Sequence, residues 1–449
     1  MNHVNRTTFS ALALGIAGVL AMGQAQASGF QLRETSVKNL GRGQAGVATA
    51  RDDASVVSNN PAAMVNLDKN TVQADVTVID VSFGFDGSGT SGAGTPLTGG
   101  DGGDPGDPTV VPNLAAVFPM HGALEGLTFG ASIGAPFGLK AEYDRDWVGR
   151  YNAVKSDLKT VDFTLSAALK VHDRFSVGLG FIYERADVTL SKSVDFGSLL
   201  FGNPATRPLP FARPQAAAGF AEIQGDDNGF GWTVGANFKP VDQLAIGVSY
   251  RSEIDYELEG TADWTVPGNV AAVFAASPTT RPLFQDGAAL AKLTTPSVLN
   301  VDLRYDFNDS FSMMASYAET GWSSLREVRI EFANPDPDSV EPFNWKDTTF
   351  ASLGAEYKLN ESWTLRGGVA YDETPTHIET RTPRLPDANR MWYSIGASWL
   401  ATQALEVNFG YTRIEPNSPK IDITSNRTTL VGPFDGAANL YGVSAQYKF

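Results

Sequence analysis

Tyr441-Gly442-Val443-Ser444-Ala445-Gln446-Tyr447-Lys448-Phe449, the last nine residues of the chain, decide the fold. Tyr441, Val443, Ala445, Tyr447 and Phe449 fall on one face of an extended chain, and Gly442, Ser444, Gln446 and Lys448 on the other. The same period of two returns upstream. Leu299, Val301, Leu303 and Tyr305 alternate with Asn300, Asp302, Arg304 and Asp306. Phe230, Trp232, Val234, Ala236 and Phe238 alternate with Gly231, Thr233, Gly235 and Asn237, and Leu405, Val407, Phe409 and Tyr411 with Glu406, Asn408, Gly410 and Thr412. Each segment is a strand with one apolar and one polar face.

A soluble sandwich gives the same alternation, so length and connections decide. Many strands here run to about ten residues, the length a tilted strand needs to cross a bilayer, against about five or six in soluble sheets. Six connections are short, around 120–125, 172–173, 240–243, 308–309, 360–361 and 402–403. Seven longer stretches lie between them, the longest near Ser193–Asn228 and Thr261–Thr294. Short turns on one side and long loops on the other mark a bacterial outer-membrane barrel. Six turns separate seven hairpins, which predicts an all-β, 14-stranded antiparallel transmembrane barrel over residues 70–449. An even count puts both chain ends on the periplasmic side. Phe449, ending the chain on an apolar face, fits a recognition signal for the barrel-assembly machinery.

The start of the chain agrees with export. His3 and Arg6 precede an apolar run from Phe9 to Met22, and Ala25-Gln26-Ala27 gives a small-x-small cleavage site. Residues 1–27 therefore read as a signal peptide. A membrane anchor is the alternative, but the run is short and nothing stops transfer. Mean hydropathy is −0.14, too polar for a helical membrane protein and ordinary for a barrel whose strands alternate. There is no Cys, which removes disulfides, thiolate metal sites and Cys nucleophiles. A net charge of −16 argues against nucleic acid. Residues 28–69 lack alternation, are rich in Gly, Ala and Asn, and end near Asn60-Pro61-Ala62. They predict a plug in the lumen, with a flexible periplasmic tail as the alternative.

Three motifs mislead. Gly41-Arg42-Gly43-Gln44-Ala45-Gly46 fits the dinucleotide fingerprint, but no strand precedes it and no βαβ unit follows. Its glycines suit tight packing in a confined segment. Gly130-Ala131-Ser132-Ile133-Gly134 fits a nucleophile elbow, yet it sits in an alternating strand followed by Pro136. Residues 99–107 resemble an acidic calcium loop in a single copy, which leaves calcium open. With no HExxH or zinc-ligand cluster, the sequence predicts no catalysis, no cofactor and no metal.

Beyond these patterns, the chain resembles the FadL-type outer-membrane transporters of long-chain fatty acids and other hydrophobic compounds. The likeness runs through Ser28-Gly29-Phe30-Gln31-Leu32, Leu40-Gly41-Arg42-Gly43, Asp52-Asp53-Ala54, Asn60-Pro61-Ala62, Pro136-Phe137-Gly138-Leu139, Trp147–Tyr151 and Leu158–Val161. It continues in Thr320-Gly321-Trp322-Ser323, Asn344-Trp345-Lys346-Asp347 and Arg381–Asp387. The resemblance implies a 14-stranded barrel with an N-terminal hatch, passive uptake and a lateral exit into outer-membrane lipid. Capture would occur in an apolar groove between the two longest loops, at Leu200, Phe201, Phe211, Phe274 and Phe284, unless those loops pack into a static lid. Asn60, Pro61 and Ala62 would fix the hatch, and Gly130, Gly134 and Pro136 would kink the third strand, Leu127 to Phe137. The resemblance also points to Arg185 and Arg329 as basic groups for a ligand carboxylate. Arg185 shares parity with Phe175–Tyr183, the lipid face, so it turns inward only if a bulge shifts the register or if it lies above the membrane. The plainer reading pairs each Arg with nearby acids such as Glu184 or Glu331. A channel for aromatic hydrocarbons is the close alternative, and a surface receptor or adhesin the distant one.

Overall fold

The structure is a computed structural model and describes residues 29–449. The export signal expected at 1–27 lies outside the described residues. Fourteen antiparallel strands close into one barrel. The first, Thr71–Phe85, pairs with the fourteenth, Thr428–Lys448, in unbroken register from Thr71↔Lys448 to Phe85↔Phe434. Between them run, in chain order, Thr109–Pro119, a broken third strand (Leu127–Gly134 and Gly138–Glu142), Lys155–His172, Phe175–Asp195 and Ala218–Val241. Four further strands are each built of two segments: Leu244–Arg251 with Ile254–Thr265, Gly287–Thr295 with Val298–Asp306, Phe311–Thr320 with Glu327–Phe332, and Ser339–Pro342 with Thr348–Lys358. Trp363–Asp372, Arg390–Leu400 and Leu405–Pro416 complete the wall. Closure matters because a strand edge in lipid would leave N–H and C=O groups with no partner.

The barrel is apolar outside and polar inside. Phe129, Leu165, Leu179, Phe230, Ile395 and Val443 are exposed on the outer face, whereas Gln73, Asp75, Thr164, Asn408 and Gln446 on the inner face are buried. Aromatic rings gather near the short-turn end, where Trp363 stacks on Trp399 and Tyr447 on Phe449.

What buries the inner face is the hatch. From Gly29 the chain folds into short helices at Val37–Leu40 and Val56–Asn59 and 3-10 turns at Val47–Thr49 and Pro61–Asn66. Glycines in the wall let it approach closely. A Cβ on Gly354 would stand 2.5 Å from the Arg42 carbonyl, and one on Gly235 only 1.9 Å from the Asn60 side chain. Ion pairs lock the other side. Glu356 receives Arg42 at 2.7 Å and Arg304 and Arg366 at 2.9 Å. Lys38 reaches Glu406 at 2.6 Å and Asp52 at 3.2 Å. Removing one partner of such a buried pair typically costs about 3–5 kcal/mol, so the hatch body is held far more firmly than its first residues.

Two expectations need correction. The loops expected at Ser193–Asn228 and Thr261–Thr294 are shorter, because the fifth strand runs on to Asp195, the sixth begins at Ala218, the seventh reaches Thr265 and the eighth begins at Gly287. Leu290 and Leu293 therefore belong to a strand, not a loop. Above the lipid band both faces of a strand meet water or protein, so the apolar/polar alternation fades while the ladder continues. The third strand also differs from Leu127 to Phe137. It leaves the ladder at 135–137 and resumes at Gly138.

Candidate ligand pocket and wall opening

Above the tip of the hatch lies an apolar cavity with about 1160 Å³ of empty space, counting its open mouth. Phe30 forms its floor, and Leu139, Leu158, Leu258, Leu293 and Ile330 are among its walls. These leucines and isoleucines face inward because the barrel strands keep their parity above the membrane, where hatch side chains no longer fill the lumen. One end of the cavity is basic. The Arg384 guanidinium, buried, donates to the Lys155 carbonyl at 2.9 Å and the Ser156 hydroxyl at 3.0 Å, and pairs with Glu341 at 3.2 Å. Lys192, half-buried, donates to the Asn426 side chain at 2.9 Å. Two cations thus face one carboxylate. Lys192 stands beyond Tyr183, the last of the outward aromatic run on its strand, and so above the lipid band. Burial, aided by the charge of Arg384, pushes its amine down to about 8.

The wall opens beside this cavity. The ladder between the second and third strands stops at Leu114↔Ile133. Farther out the third strand is tied to the loop that leads into the second, by the Glu142 amide on the Pro105 carbonyl and by Lys140 on Asp107. Into the break comes the hatch tip. The Leu32 amide donates to the Pro136 carbonyl at 2.8 Å, and the Gly138 amide to the Phe30 carbonyl at 2.7 Å. The Phe30 ring meets Trp322 at 4.7 Å, Trp345 at 5.7 Å and Phe137 at 6.0 Å. This aromatic partition separates the upper cavity from a second, more polar one lined by Asn113, Gly134, Pro136 and Phe137.

The sequence-derived residues divide sharply. Arg185 does not reach the lumen. From Ser176 to Ser191 its ladders run without a shift on both sides, so it points outward and pairs with Asp187 at 3.1 Å and Asp226 at 2.9 Å. Arg329 likewise faces out, bound to Glu327 at 2.8 Å and Asp338 at 2.9 Å, while its neighbours Val328 and Ile330 line the cavity. The basic residues that do face the cavity, Lys192 and Arg384, were missed. A signal existed for Lys192: it shares parity with Glu184, opposite Tyr183. Arg384 sits in an irregular loop where parity says nothing.

Leu200, Phe201, Phe211, Phe274 and Phe284 lie on two outer loops whose helices, Phe196–Phe201 and Gly268–Ala275, pack together. Phe196 contacts Phe284 at 5.0 Å and Phe274 at 5.9 Å, and Leu200 is buried in the same cluster. Phe201 lies under the Arg207 guanidinium instead. Asn60 caps the turn Pro61–Asn66 by accepting from the Ala62 amide at 3.1 Å, and donates to the Ala48 carbonyl at 2.7 Å. Gly130 does not kink the strand. It stays in the ladder opposite Val117, and a Cβ there would strike Met64 and Val57 of the hatch. Gly134 ends the paired segment, and Pro136 occupies the break. In the acidic loop, Asp104 accepts from the Phe83 and Gly106 amides and Asp107 pairs with Lys140.

Residues 18–449 match the family model described as outer membrane protein transport protein (OMPP1/FadL/TodX). The chain belongs to this outer-membrane transport family. It is 29% identical to the long-chain fatty acid transport protein of Salmonella typhi, over 99% of both chains. It is also 29% identical to outer membrane protein P1 of Haemophilus influenzae, covering 98% of this chain and 99% of that one. Among solved structures, a Pseudomonas aeruginosa FadL homologue superposes with a TM-score of 0.87 at 28% identity, covering 94% of this chain and 99% of that one. The Pseudomonas putida toluene transporter TodX shares the fold, with a TM-score of 0.67 at 16% identity over 92% of this chain and 97% of that one. As a family member the chain is an outer-membrane protein, and its 14-stranded barrel is the fold it shares with the Pseudomonas aeruginosa FadL homologue.

Proposed function

We propose that this protein takes up long-chain fatty acids passively across the outer membrane. The observation that carries this reading is the upper cavity: apolar walls ending at Lys192 and Arg384, with only Glu341 to balance them. Each CH₂ moved from water into such walls is favoured by about 0.8 kcal/mol, and an unpaired carboxylate is accommodated only where a cation meets it. The likeness to long-chain fatty acid transport proteins supports the same substrate class. A monoaromatic hydrocarbon would use the walls without the basic end.

Ligand would arrive past the half-buried Phe201, Phe211 and Phe284 of the outer loops, and leave sideways. Withdrawal of Phe30–Leu32 from the third strand would connect the cavity to the break at 135–137. Axial release would expose the chain to water, whereas lateral release keeps it in hydrocarbon. The ion-paired hatch body, held by Glu356 and Lys38, stays in place. Transport would run down the gradient. Residues 1–27 would direct export, 28–69 form the hatch and 70–449 the barrel. Phe449 would engage the assembly machinery.

Proteoliposomes loaded in parallel with oleate, toluene and sucrose test the reading. Oleate flux that falls in Lys192→Met while toluene flux is unchanged is expected. Equal loss for both ligands, or no oleate flux, removes it.

A further inference from the structure

We propose that the periplasmic mouth of the barrel carries a binding site for a phosphate-class oxyanion, clamped between the hatch and the fourth to sixth strands. A polar cavity lies there, walled by Arg51 of the hatch and by Lys170, Arg174, Asn237 and Lys239 of the barrel. It is remote from the apolar cavity: its lining comes from the short-turn ends of the strands, and it shares no residue with the ligand pocket.

Its charges are unbalanced. Four cations line it with two carboxylates, Asp173 and Asp242, and Asp306 behind the lining brings the balance to four against three. Asp173 and Asp242 are strongly exposed and hold Lys170 at 2.8 Å and Arg174 at 3.3 Å. Arg51 uses one nitrogen on Asp306 at 2.5 Å. Lys239 has no carboxylate within ion-pair distance among the described residues, and donates instead to the neutral Asn66 side chain at 2.8 Å.

Donors are also left over. The Nδ2 of Asn237, a residue only 3% exposed, has no acceptor among the described residues, and neither have Nε and Nη2 of Arg51, although these atoms are buried. A buried donor without an acceptor costs about 1–3 kcal/mol, so three on residues that line one basic cavity call for an acceptor of several oxygens that these side chains can turn to meet. A phosphate group supplies three or four, with the negative charge that Lys239 lacks. Asn66 ends the 3-10 turn Pro61–Asn66 of the hatch, Arg51 follows the other turn, Val47–Thr49, and Asn237 and Lys239 lie on the wall, so one anion would tie the two parts together. The same chemistry could come from free phosphate or from a phospholipid headgroup of the inner leaflet.

Two arms test this on the full mature chain. Inorganic phosphate is titrated calorimetrically into protein in a nonionic detergent, and native mass spectrometry compares nanodiscs of phosphatidylglycerol with phosphatidylcholine. Saturable phosphate binding, or selective retention of phosphatidylglycerol, is expected, and which arm responds names the source. Lys239→Gln should weaken binding by about tenfold, as expected for one charge-assisted hydrogen bond, and Lys239→Arg should retain it. Lys170→Gln, on an exposed pair, serves if Lys239→Gln fails to assemble. Absence of binding in both arms, or equal binding in wild type and the Gln variants, overturns the proposal.

Discussion

The backbone amide of Gly29 donates to the carboxylate of Asp387 at 3.0 Å, joining the first described residue of the hatch to an outer loop 358 positions away. The same carboxylate accepts from Thr374 at 2.7 Å and pairs with Arg390 at 3.1 Å. It is therefore positioned before the hatch tip arrives. Among the described residues the tip makes no ion pair comparable to those of Arg42 and Lys38, so this latch, the contacts with Pro136 and Gly138, the packing of the Phe30 ring and the bonds of Gln31 and Arg33 to Thr320 are its restraints.

Replacing Asp387 by Ala should free the tip. A hydrogen bond to a charged acceptor contributes about 1.5–3 kcal/mol, so amide exchange at Gly29–Leu32 should quicken by at least about tenfold. Hydrogen-exchange mass spectrometry reads this directly. Unchanged protection at these amides would show that the pairing with the third strand suffices.

Oleate affinity should depend on pH. Lys192 is charged below its pKa of about 8 and neutral above it. A carboxylate binds the charged form, so affinity holds below pH 8 and declines as pH rises through that value. Between pH 7 and 9 the protonated fraction drops by about tenfold, which sets the scale of the loss. Fluorescent fatty-acid displacement measures it. Lys192→Met should flatten the profile, and an uncharged long-chain alcohol should show none.

Gly235→Ala should loosen the hatch. The added methyl would collide with the Asn60 side chain, which already bonds the Ala48 carbonyl. Overpacking of this kind costs about 1–3 kcal/mol. The barrel should still assemble, with a lower unfolding temperature and raised ion conductance in planar bilayers. A conductance equal to wild type would mean that the hatch accommodates the methyl by a local shift.

Phe274→Asp should separate the two outer loops. Phe274 is 7% exposed and packs on Phe196 and Phe284, so an aspartate there buries an unpaired charge. Faster proteolysis within 196–217 and 266–286, with the barrel intact, is the expected outcome. Resistance equal to wild type would show that the loops are held by other contacts.

The sequence by itself determined the barrel. Period-two alternation in segments such as Leu405–Thr412 needs no partner to be seen, because lipid on one side and the lumen on the other act on every strand alike. It determined the strand count too, since the short turns are set by local residues such as Asn308-Asp309 and Asn360-Glu361. Tertiary structure alone decided the rest. Above the lipid band alternation no longer distinguishes the faces, so the true ends of the fifth to eighth strands were hidden. Gly130 and Pro136 look alike as strand disruptors, yet one docks the hatch and the other sits in the break, which depends on what lies opposite. Arg185 and Lys192 differ by an odd number of positions on one strand, and an unbroken register sends the first to the outside and the second to the ligand cavity. Arg384 reaches that cavity from a loop 192 residues later in the chain, through a closure of the barrel that no local pattern records.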